Sequence, residues 1–226
     1  MLLLCQSSER RPQLPDRSVD LVVTDPPFAD SVMYSELSDY FYVWLRQALA
    51  DSHPREFRSP LVDDSREAVH NPGRARDADF YTAVLGAVFC ECQRVLKTGG
   101  RLAFTFHHAG EVAWQSVEDA LVEAGFVAVG YWPVFAEMES GTHLLGKAGA
   151  AGHLDIVFKC ARFPDAAAPE AQEPIVEMGE RLAKAGLRLV AADHRALLKA
   201  RDVQRATWRR ALGGHTRALR EGEGSF

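Results

Sequence analysis

The chain is short of cysteine pairs, of surplus positive charge and of long apolar runs, and each shortage closes off a class of protein. Its four cysteines, Cys5, Cys90, Cys92 and Cys160, form no CxxC pair. Neither a disulfide framework nor a zinc knuckle is spelled, and no metal site is expected. Cys90 and Cys92 lie one residue apart on a predicted helix, where their side chains diverge by about 200°; free, buried or half-buried thiols in a reducing compartment are the reading. No apolar run approaches the roughly 20 residues of a membrane span. The opening MLLLCQSSERRPQ lacks the charged and apolar regions of a signal peptide. A cytoplasmic location without membrane contact is expected. A net charge of −5 argues against a protein coated in basic surface.

What remains is ordinary globular material. The 226 residues are 47% hydrophobic and 25% charged, enough for one substantial core but not for two full-sized domains. VDLVVT, residues 19–24, is a nearly continuous apolar run of the kind buried on both faces of a parallel sheet. It ends at Pro26-Pro27, which can neither continue a ladder nor open a helix comfortably. From about Val32 to Leu49 the residues Leu37, Phe41, Trp44, Leu45 and Ala48 recur at helical spacing, which places such aromatics in a core. Residues 50–76 are polar and broken by Pro54, Pro60 and Pro72-Gly73, a long excursion of the kind reserved for function or disorder.

A helix is predicted over about Asp77–Lys97, stopped by Gly99-Gly100. RLAFTFHH follows as a strand, EVAWQSVEDALVEAG as a helix ended by Gly125, and FVAVGYWPVF as a third strand. HLDIVFKCARF is a fourth strand, reached through the glycine-rich SGTHLLGKAGAAGH. With no helix between them, the last two strands are expected to pair antiparallel. The sequence divides into residues 1–163 as a unit of alternating strands and helices, 164–174 as an Ala/Pro/Glu-rich linker, and 175–226 as a helical extension. Helices are expected near Ile175–Ala185 and Asp193–Leu212, ahead of a frayed Gly-rich tail. Residues 195–220 hold eight Lys and Arg against the single acid Asp202. Arg201, Arg205, Arg209 and Arg210 are the candidates for nucleic-acid phosphates; a solvated helix face is the plain alternative.

TDPPF after an apolar strand resembles the [D/N/S]PP[Y/F/W] motif of amino-methylating DNA methyltransferases. ECQRVLKTGGRLAFTF resembles the helix-turn-strand that follows it in that superfamily. LPDRSVDLVVTDPPF with YSELSDYFYVWLR is similar to the large adenine-specific DNA methylases associated with a zinc ribbon, although no ribbon cysteines occur here. The likeness covers roughly residues 14–162. It implies an α/β fold, a partial Rossmann-like class I methyltransferase sheet of four to five strands with a helical C-terminal extension. The activity implied is N6-adenine methylation of DNA with S-adenosylmethionine.

An exocyclic amine is a poor nucleophile while its lone pair is delocalised into the ring. The resemblance implies that the Asp25 carboxylate and the Pro26 carbonyl accept its two N–H groups, and that Phe28 stacks on a flipped base. Pro26 and Pro27 stiffen the loop and fix the carbonyl direction. Asp30, Ser31 and Tyr34 lie close enough to touch substrate. His107 and His108 end a strand on the edge where ligands of open α/β sheets bind. Asp20, at the start of the first strand, reads as a cap or salt-bridge partner.

One part is missing. The glycine-rich donor loop of such enzymes belongs upstream of DPPF, where only 24 residues stand, so no cofactor-binding residues can be assigned. The first strand then has an exposed edge, to be completed by a second polypeptide supplying the cofactor half, or by a homodimer. An RNA or other amino-group methyltransferase is the alternative enzyme. A non-catalytic nucleic-acid-binding subunit or truncated remnant is the alternative of another class.

Overall fold

The computed structural model describes residues 6–135, 154–166, 175–184 and 191–222, with Leu3 and Pro169. The glycine-rich connection at 140–153 and most of the predicted linker lie outside the described residues. Among the described residues, four strands and five α-helices follow in order: β1 (Val19–Thr24), α1 (Tyr34–Leu49), α2 (Ala78–Val95), β2 (Leu96–Phe106), α3 (Glu111–Glu123), β3 (Phe126–Phe135), β4 (Leu154–Arg162), α4 (Ile175–Lys184) and α5 (Ala191–Gly222). The fold is mixed α/β. Among the described residues no helix is long and apolar enough to cross a membrane.

The strands form one sheet in the order β1-β2-β4-β3. β1 and β2 run parallel, joined through α1 and α2. β4 enters antiparallel between β2 and β3, so the expected antiparallel pairing of the last two strands is present. On β2 the side chains alternate: Leu102, Phe104 and Phe106 are buried, while Arg101, Ala103 and Thr105 on the other face are half-buried. Phe104 stacks on Phe158 of β4 at 5.1 Å and meets Phe89 of α2 at 5.3 Å. Val117 and Leu121 of α3 close the same core.

Several expectations need correction. β1 is not buried on both faces: Val19 and Val22 pack on the core, whereas Val23 is 72% exposed. The cause is its position on the sheet's edge. α2 ends at Val95 rather than at the glycines, because Leu96 is already extended and paired with Val19. Gly99-Gly100 instead lies in an irregular stretch of β2. A Cβ on Gly100 would sit 3.0 Å from the Lys97 carbonyl and 3.1 Å from that of Asp20, so glycine permits the close approach of β1. Asp20 pairs with Lys97 at 2.8 Å. Cys90 is exposed, while Cys160 is buried. Burial pushes the Cys92 thiol up to about 11.

The second half of the molecule also differs. α5 continues through Gly213-Gly214 to Gly222 where a frayed tail was expected; the Arg, Ala and Leu around those glycines are strong helix formers that outweigh about 1 kcal/mol per glycine. Its earlier turns join the main core through Ala196, Leu197, Ala200 and Val203. Further along, three of its side chains bond the backbone of β3. The Ala128 N–H donates to Thr207 Oγ1 at 3.2 Å, Gln204 Nε2 donates to the Val129 carbonyl at 2.9 Å, and Trp208 Nε1 donates to the Ala128 carbonyl at 3.0 Å. One edge of the sheet is thereby closed, and among the described residues no strand pairs with the outer edge of β1.

Candidate functional site

β1 delivers Asp25-Pro26-Pro27-Phe28 to the end of the sheet that parallel strands reserve for ligands. Register sets what surrounds the loop. Thr24 lies opposite Phe104, so Asp25 comes beside Thr105, whose hydroxyl donates to Asp25 Oδ1. Among the described residues Oδ2 has no hydrogen-bond partner. The two proline carbonyls differ as well. That of Pro27 accepts from the buried Tyr81 hydroxyl at 2.8 Å and from the Ala29 N–H at 3.0 Å. That of Pro26 accepts no hydrogen bond from the described residues. The loop therefore presents two acceptors of adjacent residues, one carboxylate oxygen and one carbonyl, with their neighbours already satisfied.

A turn follows. Ala29 is buried at φ 51°, and its carbonyl accepts the His70 N–H at 3.2 Å. Asp30 then pairs with His108 Nε2 at 2.6 Å. The Gly110 N–H donates to His108 Nδ1 at 2.9 Å, which orients the ring with Nε2 toward Asp30. Burial works against the charge of Asp30, but the His108 hydrogen bond and the attraction of His108 and His70 outweigh it and hold the carboxyl below its ordinary range.

Asp25, Pro26, Pro27 and Tyr34 line one cleft of about 680 Å³, bounded by α2, residues 6–9 and residues 62–68. The sequence-predicted residues divide around it. Phe28 packs edge-on against Phe106 at 5.5 Å and is half-buried. Ser31 is exposed, its N–H donating to the Phe28 carbonyl at 3.0 Å. His107 is engaged elsewhere, Nδ1 meeting the Leu154 carbonyl at 2.8 Å, where it ties β2 to the start of β4. The arginines of α5 belong to the β3 edge, three strand spacings or about 14 Å across the sheet from β1. Arg205 and Arg209 are exposed, Arg210 is held by Glu118 at 3.0 Å and Asp119 at 2.5 Å, and Arg201 pairs with Asp202 at 3.6 Å.

Thr105, Tyr81 and Glu67 were not singled out in the sequence. Glu67 accepts the Ser35 N–H at 2.8 Å and the Ser35 hydroxyl at 2.6 Å, capping α1 from a distance because Met33 offers no cap of its own. Arg76 fixes Glu67 at 3.3 Å and Asp64 at 2.9 Å. The polar excursion at 50–76 is thus a folded strap, ordered by ion pairs. Thr105 carried one legible signal, a polar residue at the end of an otherwise apolar strand; its use depends on the register with β1.

No family model matches the chain, and no curated protein matches it. A solved structure does. The chain is similar to a selenomethionine derivative of a candidate DNA modification methylase from Thermus thermophilus, at 16% identity and a TM-score of 0.36, over 74% of this chain and 52% of that one. It spans about half the length of that structure.

The donor implied by the motif, S-adenosylmethionine, does not fit the residues that line the cleft. Among the described residues none that lines it is a glycine, so none of these offers the bare backbone of a close approach. Of the acids there, Glu9 is held by Arg66, Asp64 by Arg74 and Arg76, and Glu67 by Ser35 and Arg76, while Asp63 takes the Ser65 N–H on Oδ1 and Asp25 turns Oδ2 to the cleft.

Proposed function

We propose that the chain is the acceptor half of an amino-group methyltransferase that acts on the N6 amine of adenine in DNA. One observation carries the reading: among the described residues Asp25 Oδ2 and the Pro26 carbonyl accept no hydrogen bond, while Thr105 occupies Oδ1 and Tyr81 occupies the Pro27 carbonyl. A primary amine brings two N–H donors. Accepting both holds the nitrogen pyramidal and draws its lone pair out of conjugation, which is catalysis by orientation and preorganised electrostatics. Phe28, packed edge-on against Phe106 beside the loop, is assigned to stacking on the flipped base, and Tyr34 lines the cleft with Asp25. Asp30 and His108 hold the far side of the loop.

The strand order, with an antiparallel strand inserted between its parallel neighbours, supports the downstream half of a Rossmann-like class I methyltransferase sheet. In this reading the methyl donor is held by a second polypeptide that adds its strands to the open β1 edge, and Arg205 and Arg209 meet phosphates at the opposite edge. The chain's own residues bind and orient the amine.

The test needs no donor. Titrate the chain with a short single-stranded thymidine oligonucleotide carrying one adenine, and with the same oligonucleotide carrying N6,N6-dimethyladenine, which has lost both donors. Tighter binding of adenine, with the difference abolished by Asp25→Ala, is expected. Equal binding of the two by the wild-type chain would refute the reading. Calorimetric titration with S-adenosylmethionine alone is expected to show no saturable binding.

A further inference from the structure

α1 is an amphipathic helix turned inside out. At 3.6 residues per turn, Tyr34, Leu37, Phe41, Trp44 and Leu45 share one stripe, with Tyr40 beside it. Leu37, Phe41 and Trp44 are 60%, 64% and 62% exposed. The charged residues are on the opposite face, turned toward the strap. Glu36 pairs with Arg74 at 3.3 Å, Asp39 accepts the Val62 N–H at 2.9 Å, and Arg46 Nε donates to the Phe57 carbonyl at 3.2 Å. A helix on a finished surface hides its apolar stripe and shows its charges. Single exposed hydrophobes need no explanation, but a continuous stripe of this size marks an interaction surface.

We propose that this stripe is a homodimer interface, in which two copies of α1 pack antiparallel about a two-fold axis near Phe41. The area suits a stable dimer: six side chains of this size, each exposed over about half or more of its surface, present about 600–700 Å², close to the roughly 800 Å² per partner of a specific complex. The charge suits a second copy. The stripe and its flanking Ser38 and Gln47 are uncharged, so self-pairing sets no like charges together. A nucleic acid or an anionic lipid surface would require cations along the stripe; the single cation of α1, Arg46, is turned to the strap. The geometry closes, because a 16-residue helix with its apolar centre on the axis meets its own copy in an isologous contact. Tyr34 and the flanking Ser38 also line the cleft that holds Asp25, so the stripe borders the amine site, although neither Asp25 nor Pro26 takes part in the interface.

Sedimentation velocity of the full chain over a concentration series is the test. A species of twice the 25.0 kDa chain mass is expected. Phe41→Glu with Trp44→Glu should weaken it about 100-fold, the loss of two central anchors, with the far-UV circular dichroism unchanged because both side chains are exposed. Leu21→Lys with Val23→Lys, on the open strand edge, should leave the dimer intact. A wild-type chain that stays monomeric overturns the proposal. So does a dimer that survives the α1 substitutions, or one abolished by the β1 pair, which would move the interface to the strand edge.

Discussion

The Thr105 hydroxyl donates to Asp25 Oδ1, and the two residues meet because β1 and β2 run parallel with Thr24 opposite Phe104. The bond fixes the carboxylate and leaves its other oxygen to the cleft. Thr105→Val should therefore shrink the preference for adenine over dimethyladenine about tenfold, the roughly 1.4 kcal/mol equivalent of one hydrogen bond to a charged group. Thr105→Ser should retain the preference. The oligonucleotide titration reads both.

Asp30 gives the loop a pH dependence. Its carboxyl is held below the ordinary value of 3.8, so its contribution to stability is complete above that value and is lost as pH falls through the lower folded one. Urea midpoints followed from about pH 6 into the acid range should fall more steeply for the wild type than for Asp30→Asn. The two curves should run parallel above the ordinary carboxylate range. Parallel curves throughout would mean that the His108 contact does not perturb Asp30.

The α5 cap on β3 should be visible in stability. Thr207→Val leaves the Ala128 N–H buried without an acceptor, at a cost of about 1–3 kcal/mol, whereas Thr207→Ser keeps the oxygen. Denaturant unfolding measures the difference. A chain lacking residues 191–226 should show no cooperative transition, because Leu197, Ala200 and Val203 leave the core with it.

Salt dependence separates the arginines. Arg205→Gln with Arg209→Gln should lower DNA affinity and reduce the slope of log affinity against log salt by about two, one per phosphate contact. Arg210→Gln should change it less, since Glu118 and Asp119 already hold that guanidinium. Filter binding at several salt concentrations tests this.

Local pattern made much of the fold legible. FVAVGYWPVF is the whole of β3, and the apolar stripe of α2 lies within one residue of its predicted start. Asp25, Pro26 and Pro27 were readable from four letters after a strand. What escaped depends on partners distant in the chain. The place of β4 beside β2, the donor to Asp25, the carboxylate that caps α1 and the edge closed by α5 all join residues more than 30 positions apart. The α1 stripe was misread for a related reason: periodicity reports that a helix has an apolar face, and the charges on the other face were claimed first by the strap.

Closure of the β3 edge also has a timetable. Thr207, which bonds Ala128, lies 45 residues beyond Arg162, where the hairpin ends, so a ribosome adding about 5–20 residues per second finishes the hairpin about 2–9 seconds before the residue that seals it is made. During that interval both margins of the nascent sheet are bare. Translation speed over α4 and α5 therefore governs how long the chain is open to stray strand pairing, and a holdase that covers β3 until Thr207 emerges would raise the yield of folded protein.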